Sequence, residues 1–227
     1  MDTQDQRPVD TVVLDVDGTL IDSNYRHVRA WAEAFAEIGR IIPEWRIHRA
    51  IGMGGDRLVP EVAGECTERA AGDELRARHD ALYERVLPHI QPLPGAHQLI
   101  STLKERGFRV VVASSGTEEQ TRSAIEKLED SRQLDAWVAG SDVEATKPAP
   151  ELLKVALERV DGRHAMVVGD SVWDMLAAEE LDSYAVGLRC GGFSDSELVD
   201  AGADVVYDDP ADLVAHASNL PVRRPVG

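Results

Sequence analysis

The chain has 227 residues, and 43% of them are hydrophobic, enough to build a core and too many for a disordered polymer. Its formal net charge of −17 repels phosphodiester backbones and anionic membrane surfaces, which argues against a nucleic-acid or membrane partner. The two cysteines, Cys66 and Cys190, form no CxxC or His/Cys cluster, so no zinc site or disulfide framework is expected, and the usage fits a reducing cytoplasm.

In chain order, residues 1–10 are polar and lack the apolar centre of a signal peptide. No apolar run has the length of a membrane span, so a soluble cytoplasmic protein is expected. The first strand is expected over Thr11–Asp17. The region from residue 22 to 92 then offers no strand: Val28, Trp31, Ala32, Phe35 and Ile38 recur at helical spacing, and Arg57–Ala63 and Asp73–Leu87 also read as helices. Pro88, Pro92, Pro94 and Gly95 punctuate the return to a different rhythm. From there strands at Phe108–Ser114, Asp135–Gly140, Ala165–Gly169, Tyr184–Leu188 and Asp204–Tyr207 alternate with helices at Ala96–Arg106, Glu118–Leu128, Pro150–Val160 and Trp173–Leu181. Most of the strands are continuously apolar, as strands buried on both faces are. The expected fold is α/β: a Rossmann-like core with a central parallel sheet, residues 1–21 and 93–227, interrupted by an all-helical insertion, residues 22–92.

Open parallel sheets bind ligands beyond the carboxyl ends of their strands. The expected strands end in Asp15-Val16-Asp17-Gly18-Thr19, in Ser114-Ser115-Gly116 and in Gly169-Asp170, and Lys147-Pro148 follows the third. Three carboxylates, a lysine and a hydroxyl would meet on one rim, with Asp174 a helical turn behind. Converging carboxylates need a cation among them, and all-oxygen ligands favour Mg²⁺ over zinc. With Lys147 beside it, such a site forms a clamp for a phosphoryl group, and Gly18 and Gly116 let backbone amides approach its oxygens. Asp15 and Asp17, two residues apart, suit one nucleophile and one acid/base.

These residues resemble the four signatures of the haloacid dehalogenase (HAD) superfamily, in order: Asp15-Val16-Asp17-Gly18-Thr19-Leu20, Ser114 after Val110–Ala113, Lys147-Pro148, and Gly169-Asp170-Ser171-Val172-Trp173-Asp174. The resemblance implies a Mg²⁺-dependent phosphatase acting on a small phosphorylated metabolite through an aspartyl-phosphate. Asp15 would be nucleophile and metal ligand. Asp17 would be acid/base and ligate the metal through its carbonyl. Ser114 and Lys147 would hold the phosphoryl group, Asp170 and Asp174 the metal, and Thr19 the phosphate pocket. The insertion is similar to a helical cap of the C1 type, as in the phosphoglycolate phosphatase and β-phosphoglucomutase-like subgroup. His27 and Arg57 are its candidate substrate contacts, and Gly116 another in the core. Asp22, Ser23 and Asp182 read as turn or capping residues. The resemblance leaves the oligomeric state open between a monomer and a small homo-oligomer.

Four rival readings use the same scaffold. A phosphomutase must hold a second phosphate, and the insertion contains no lysine. A phosphonatase needs an insertion lysine for its Schiff base, and a dehalogenase needs neither Asp17 nor Asp170. A non-catalytic binding protein is disfavoured by the complete set of motif residues.

Overall fold

A computed structural model describes residues 9–129 and 131–221. Residues 1–8, part of the polar N-terminal stretch, lie outside the described residues, as do 222–227 at the other end of the expected core. Six strands form one sheet: β1 (Thr11–Leu14), β2 (Arg109–Ala113), β3 (Ala136–Val138), β4 (Ala165–Gly169), β5 (Tyr184–Leu188) and β6 (Val205–Tyr207). All neighbours are parallel, in the order β3-β2-β1-β4-β5-β6. The order reverses between β1 and β4, so these two strands flank the topological switch point, where such sheets bind ligands.

The strands are apolar throughout because both faces are covered. Val12, Leu14, Val110 and Val112 join one buried cluster, whereas Val13, Val111 and Ala113 join another on the opposite face. That is the two-residue period of a strand sandwiched between helix layers. Helices α5 (Ala96–Glu105), α6 (Glu118–Glu126), α7 (Glu151–Arg159), α8 (Val172–Glu179), α9 (Asp195–Asp200) and α10 (Pro210–Ala215) form those layers.

Between β1 and β2 the chain is helical: α1 (Asn24–Glu37), α2 (Glu44–Ala50), α3 (Gly55–Ala63) and α4 (Glu65–Glu84). These helices bury a third cluster of their own, built on Val28, Trp31, Phe35, Ile47, Leu58, Val59 and Leu75. The expected stripe on α1 faces this cluster, with Ala32 and Ile38 at its partly buried margin.

Three differences from the sequence reading have physical causes. The first strand stops at Leu14 rather than Asp17, because Asp15 onward turns over the sheet edge: Leu20 and Ile21 both donate to the carbonyl of Val16. Helix α4 begins at Glu65, eight residues before the expected start, since its first turns are polar and carry little hydrophobic period. Helix α2 buries only Ile47 and Ala50, too few apolar positions to announce a helix. Among the described residues no helix is long and apolar enough to cross a membrane.

Candidate active site

The switch point gathers the acidic residues. Asp15 follows β1, its amide donating to Val168 of β4 at 2.9 Å, and Asp170 follows β4 directly. Asp174 lies in the first turn of α8, where its Oδ2 accepts from the Ser171 amide (3.1 Å) and hydroxyl (2.6 Å). One carboxylate oxygen from each of Asp15, Asp170 and Asp174 falls within 4.8 Å of the others, and all three residues are buried.

Among the described residues, Lys147 is the one cation packed against these carboxylates. Its Nζ bonds Asp15 Oδ1, lies 2.7 Å from Asp174 Oδ1 and donates to the Ala113 carbonyl at 3.3 Å. The ammonium is 1% exposed, and its carboxylate neighbours hold its pKa above the ordinary range despite burial. Three buried carboxylates against one ammonium leave excess negative charge. Burial and the adjacent Asp174 and Asp17 push the Asp15 carboxyl up to about 7, against the pull of Lys147. Burial and the same kind of crowding push Asp170 well up as well.

The donor set fits a divalent cation on structural grounds. The ligands are hard oxygens at mutual distances a small ion can bridge. Asn24 Oδ1 is a buried acceptor without a hydrogen-bond partner among the described residues, and Asp174 Oδ1 meets only the Lys147 ammonium, so both keep acceptor capacity for a cation and its water shell. Asp170 is pinned in place: Thr19 Oγ1 donates to its Oδ1 (3.0 Å) and Asn24 Nδ2 to its Oδ2 (2.7 Å). Two glycines make room for it. A Cβ at Gly18 would sit 2.2 Å from Asp170 Oδ2, and one at Gly191 1.9 Å from the same atom.

Asp17 stands apart from this cluster yet faces the same cavity as Asp15. Its Oδ1 accepts from Ser23 Oγ at 2.5 Å and meets His27 Nε2 at 3.1 Å. Burial would raise the Asp17 carboxyl, but His27 and Ser23 hold it below its ordinary value. A line of contacts continues outward: His27 Nδ1 meets His79 Nε2 at 3.0 Å, His79 Nδ1 meets Asp80 Oδ1 at 3.1 Å, and Gln120 Nε2 donates to that same oxygen at 2.9 Å. Tyr83 stacks on His27 with centroids 3.8 Å apart, and Trp31 stacks on His79 at 4.2 Å. Burial pushes the His79 imidazole down to about 4, so the ring is neutral near pH 7. With His79 Nδ1–H donated to Asp80, His79 Nε2 accepts from His27 Nδ1–H, and the His27–Asp17 hydrogen bond then requires a proton on His27 Nε2 as well.

The insertion closes the cavity from above. Thr146 Oγ1, next to Lys147, accepts from the Gly54 amide (3.0 Å) and donates to Asp56 Oδ1 (2.5 Å). Ser115 Oγ donates to the Gly52 carbonyl at 3.0 Å, and Trp173 Nε1 to that of Arg49 at 3.1 Å. The cavity between insertion and core is open to solvent on one side and measures about 300 Å³.

Of the residues singled out in the sequence, Asp15, Asp17, His27 and Gly116 line this cavity. Lys147, Asp170 and Asp174 are buried at its edge. Ser114 is buried as well, its Oγ accepting from the Gly116 amide at 3.0 Å, while the neighbouring Ser115 reaches the cavity wall. Thr19 lies beneath Asp170 rather than in the cavity. Arg57 is not brought to the site: its side chain is half exposed and reaches only Asp56, at 3.5 Å.

Four residues with a place here drew no functional reading from the sequence. Ser23, at the start of α1, makes no capping bond and turns its hydroxyl to Asp17 instead. Asn24 holds Asp170, and His79 and Asp80 extend the line from His27. The available signal was the pairing of His27 with Trp31 and of His79 with Tyr83, each four apart on a helix, but periodicity does not say which helix packs opposite which.

A parallel α/β sheet with carboxylates and a lysine converging at its switch point is the architecture of enzymes that handle phosphoryl or related groups. The family model of the haloacid dehalogenase-like hydrolases matches residues 9–182, and the chain belongs to that family. A crystal structure of a hydrolase from Pseudomonas syringae is 35% identical, covering 93% of this chain and 99% of that one with a TM-score of 0.87. The phosphoglycolate phosphatase of Rhodospirillum rubrum is 29% identical over 213 residues, 89% of this chain and 88% of its own. The validoxylamine A 7'-phosphate phosphatase of Streptomyces hygroscopicus is 29% identical over 204 residues, 87% of this chain and 92% of its own.

Proposed function

We propose that the protein is a Mg²⁺-dependent phosphatase that hydrolyses a small phosphomonoester through an aspartyl-phosphate on Asp15, with residues 22–92 acting as its cap. The observation that carries this reading is the buried Asp15–Asp170–Asp174 cluster with Lys147 as its sole packed cation among the described residues. Asp15, Asp170 and Asp174, with the Asp17 carbonyl, would hold the ion. When bound, the ion neutralises charge on the phosphoryl oxygens and on the carboxylates around them.

Asp15 attacks phosphorus, forming the Oδ–P bond as the bond to the leaving alcohol breaks. Asp17, which must enter this step protonated, gives that alcohol its proton and recovers one from the water that cleaves the acyl phosphate. Its side chain is held for this by Ser23 and by the His27–His79–Asp80 line, so His27 acts on the reaction through Asp17. Lys147 meets the phosphoryl oxygens, with the Ser114 hydroxyl and the Gly116 amide at the same pocket. The cap limits bulk water at the site and carries the substrate contacts.

The relatives are named for substrates as different as phosphoglycolate and validoxylamine A 7'-phosphate, so the scaffold supports a phosphatase without fixing its alcohol. A mutase would need a second cationic cluster for the second phosphate. The cavity holds one arginine, Arg76, and that is occupied by Glu68 and Asp73. The acidic, cysteine-poor chain suits work in a reducing cytoplasm.

The test is phosphate release from a panel of phosphorylated metabolites, with Mg²⁺, Mn²⁺, Co²⁺, Ca²⁺ or EDTA. Activity is expected with Mg²⁺, to persist with Mn²⁺ or Co²⁺, and to fall with Ca²⁺, whose longer bonds and larger ligand number misplace Asp15. Full activity in excess EDTA would refute the reading.

A further inference from the structure

We infer that the cap selects a phosphomonoester whose alcohol carries no second anionic group, a polyhydroxylated or aminated alcohol, with aminated alcohols favoured. This inference rests on the phosphatase reading and specifies the substrate class of the same site. The case is the charge inventory of the cavity away from Asp15 and Asp17. Its remaining ionisable lining is Asp56, Asp80, Glu144, Arg76, His27 and His79. Neither histidine offers a free cationic donor to an anion: His27 is engaged by Asp17 and His79, and His79 is the neutral ring between His27 and Asp80.

Arg76 is saturated. Its Nη1 donates to Glu68 Oε2 (2.9 Å) and to the Gly55 carbonyl (3.2 Å), and its Nη2 donates to Glu68 Oε1 (2.9 Å) and Asp73 Oδ1 (2.8 Å). A substrate carboxylate or second phosphate would have to displace a bidentate carboxylate to reach it. With Glu68 and Asp73 counted, the arginine brings no net positive charge to the wall.

The acids, in contrast, keep acceptor capacity. Asp80 has Oδ1 fixed by His79 and Gln120, while its Oδ2 carries no hydrogen bond among the described residues and its side chain is 35% exposed. Glu144 lines the cavity from an exposed position. Ser115, Thr117 and Ser141 add neutral polar groups. Fixed acceptors without a competing cation recognise O–H and N–H donors and repel anions. The positive charge of the site is confined to its phosphoryl end, at Lys147 and the metal, so a second anion has nowhere favourable to lie.

Three size-matched substrates test this: 2-aminoethyl phosphate, 2-hydroxyethyl phosphate and 2-phosphoglycolate, with p-nitrophenyl phosphate as a reporter of the phosphoryl end, all in saturating Mg²⁺. The expected order of kcat/KM is amine, then hydroxyl, with the carboxylate lower by about tenfold or more. Asp80→Asn and Glu144→Gln are expected to narrow the spread between amine and carboxylate, whereas loss of a merely structural contact would lower all three alike. A carboxylate substrate equal to or better than the hydroxyl one, with p-nitrophenyl phosphate turned over, would overturn the inference and leave the phosphatase reading standing. No turnover of p-nitrophenyl phosphate or any of the three would overturn the phosphatase reading, and this inference with it.

Discussion

Strand β1 carries a buried aspartate just beyond each of its ends, and the two are treated in opposite ways. Asp10, ahead of the strand, receives Thr11 Oγ1 (2.9 Å), the amides of Arg163 and His164 (each 3.2 Å at Oδ1) and Arg109 Nη1 (3.1 Å). Burial alone would raise its pKa, but these donors hold it below the ordinary carboxylate value. Asp15, beyond the other end, is raised to about 7, with further carboxylates beside it and the Lys147 ammonium against it. One carboxylate is complete within the protein; the other is arranged for something the protein does not itself supply. The lesson is that burial alone does not mark a functional acid. The mark is buried charge that its own neighbours leave uncompensated.

The largest effects that would break this contrast are kinetic. Asp15→Asn is expected to abolish turnover, a loss on the order of 10⁴-fold or more, if Asp15 is the nucleophile as proposed. Asp17→Asn is expected to cost on the order of 10²–10⁴-fold, the usual worth of an acid/base group. In both, the circular dichroism spectrum should stay native. Near wild-type phosphate release by purified Asp15→Asn would show that the two ends of β1 are not functionally distinct.

Next comes stability. Asp10→Ala leaves buried amides and Arg109 without their acceptor, a cost on the order of 3 kcal/mol, or roughly 6–12 °C in Tm for a chain of this size. The kcat of the folded enzyme should change little. Asp170→Asn should move the other way: in EDTA it removes one of the crowded charges and raises Tm by a few degrees, while abolishing the Tm increase caused by Mg²⁺. The pH dependences differ in sign. Asp10, depressed in the folded state, stabilises above its unfolded pKa of about 3.9 and loses that contribution as pH falls through the lower folded value. Asp15, raised when folded, binds more protons native than unfolded, so metal-free stability should decline as pH rises from about 4 towards 7 and level off beyond. Calorimetry across pH 4–8 with EDTA, repeated with Mg²⁺, checks this; a metal-free Tm rising steadily over pH 5–7 would contradict the assignment of strain to the switch point.

The smallest effect sharpens the contrast within the cap. Arg57→Ala should change kcat/KM by less than about threefold on any substrate, since its ion pair with Asp56 is exposed and long. His27→Ala should cost far more, because it removes the partner of Asp17. A selective loss on Arg57→Ala would show that the cap meets substrate in another arrangement.

Most of the fold and the core of the site were legible in the sequence because each rests on a local signal. Continuous runs such as Val110–Ala113 announce strands buried on both faces, and the residues after them fall at the switch point. What stayed hidden depends on packing between distant segments. Gly191 is needed because its backbone approaches Asp170, and Asn24 matters because α1 starts beneath that same carboxylate. Ser23 has the sequence position of a helix cap, and only the turn of the chain at Gly18 sends its hydroxyl to Asp17. His79 lies 52 residues from its partner His27, on a helix whose facing neighbour no periodicity identifies.

The most direct measurement is to trap the intermediate. The enzyme is quenched during turnover with Mg²⁺ and treated with borohydride, which reduces an acyl phosphate to the corresponding alcohol, and the peptides are mapped by mass spectrometry. The account predicts conversion at Asp15, dependent on substrate and metal and unchanged at Asp10, Asp17 and Asp170. Modification at another residue, or brisk phosphate release with Asp15 never modified, would contradict it.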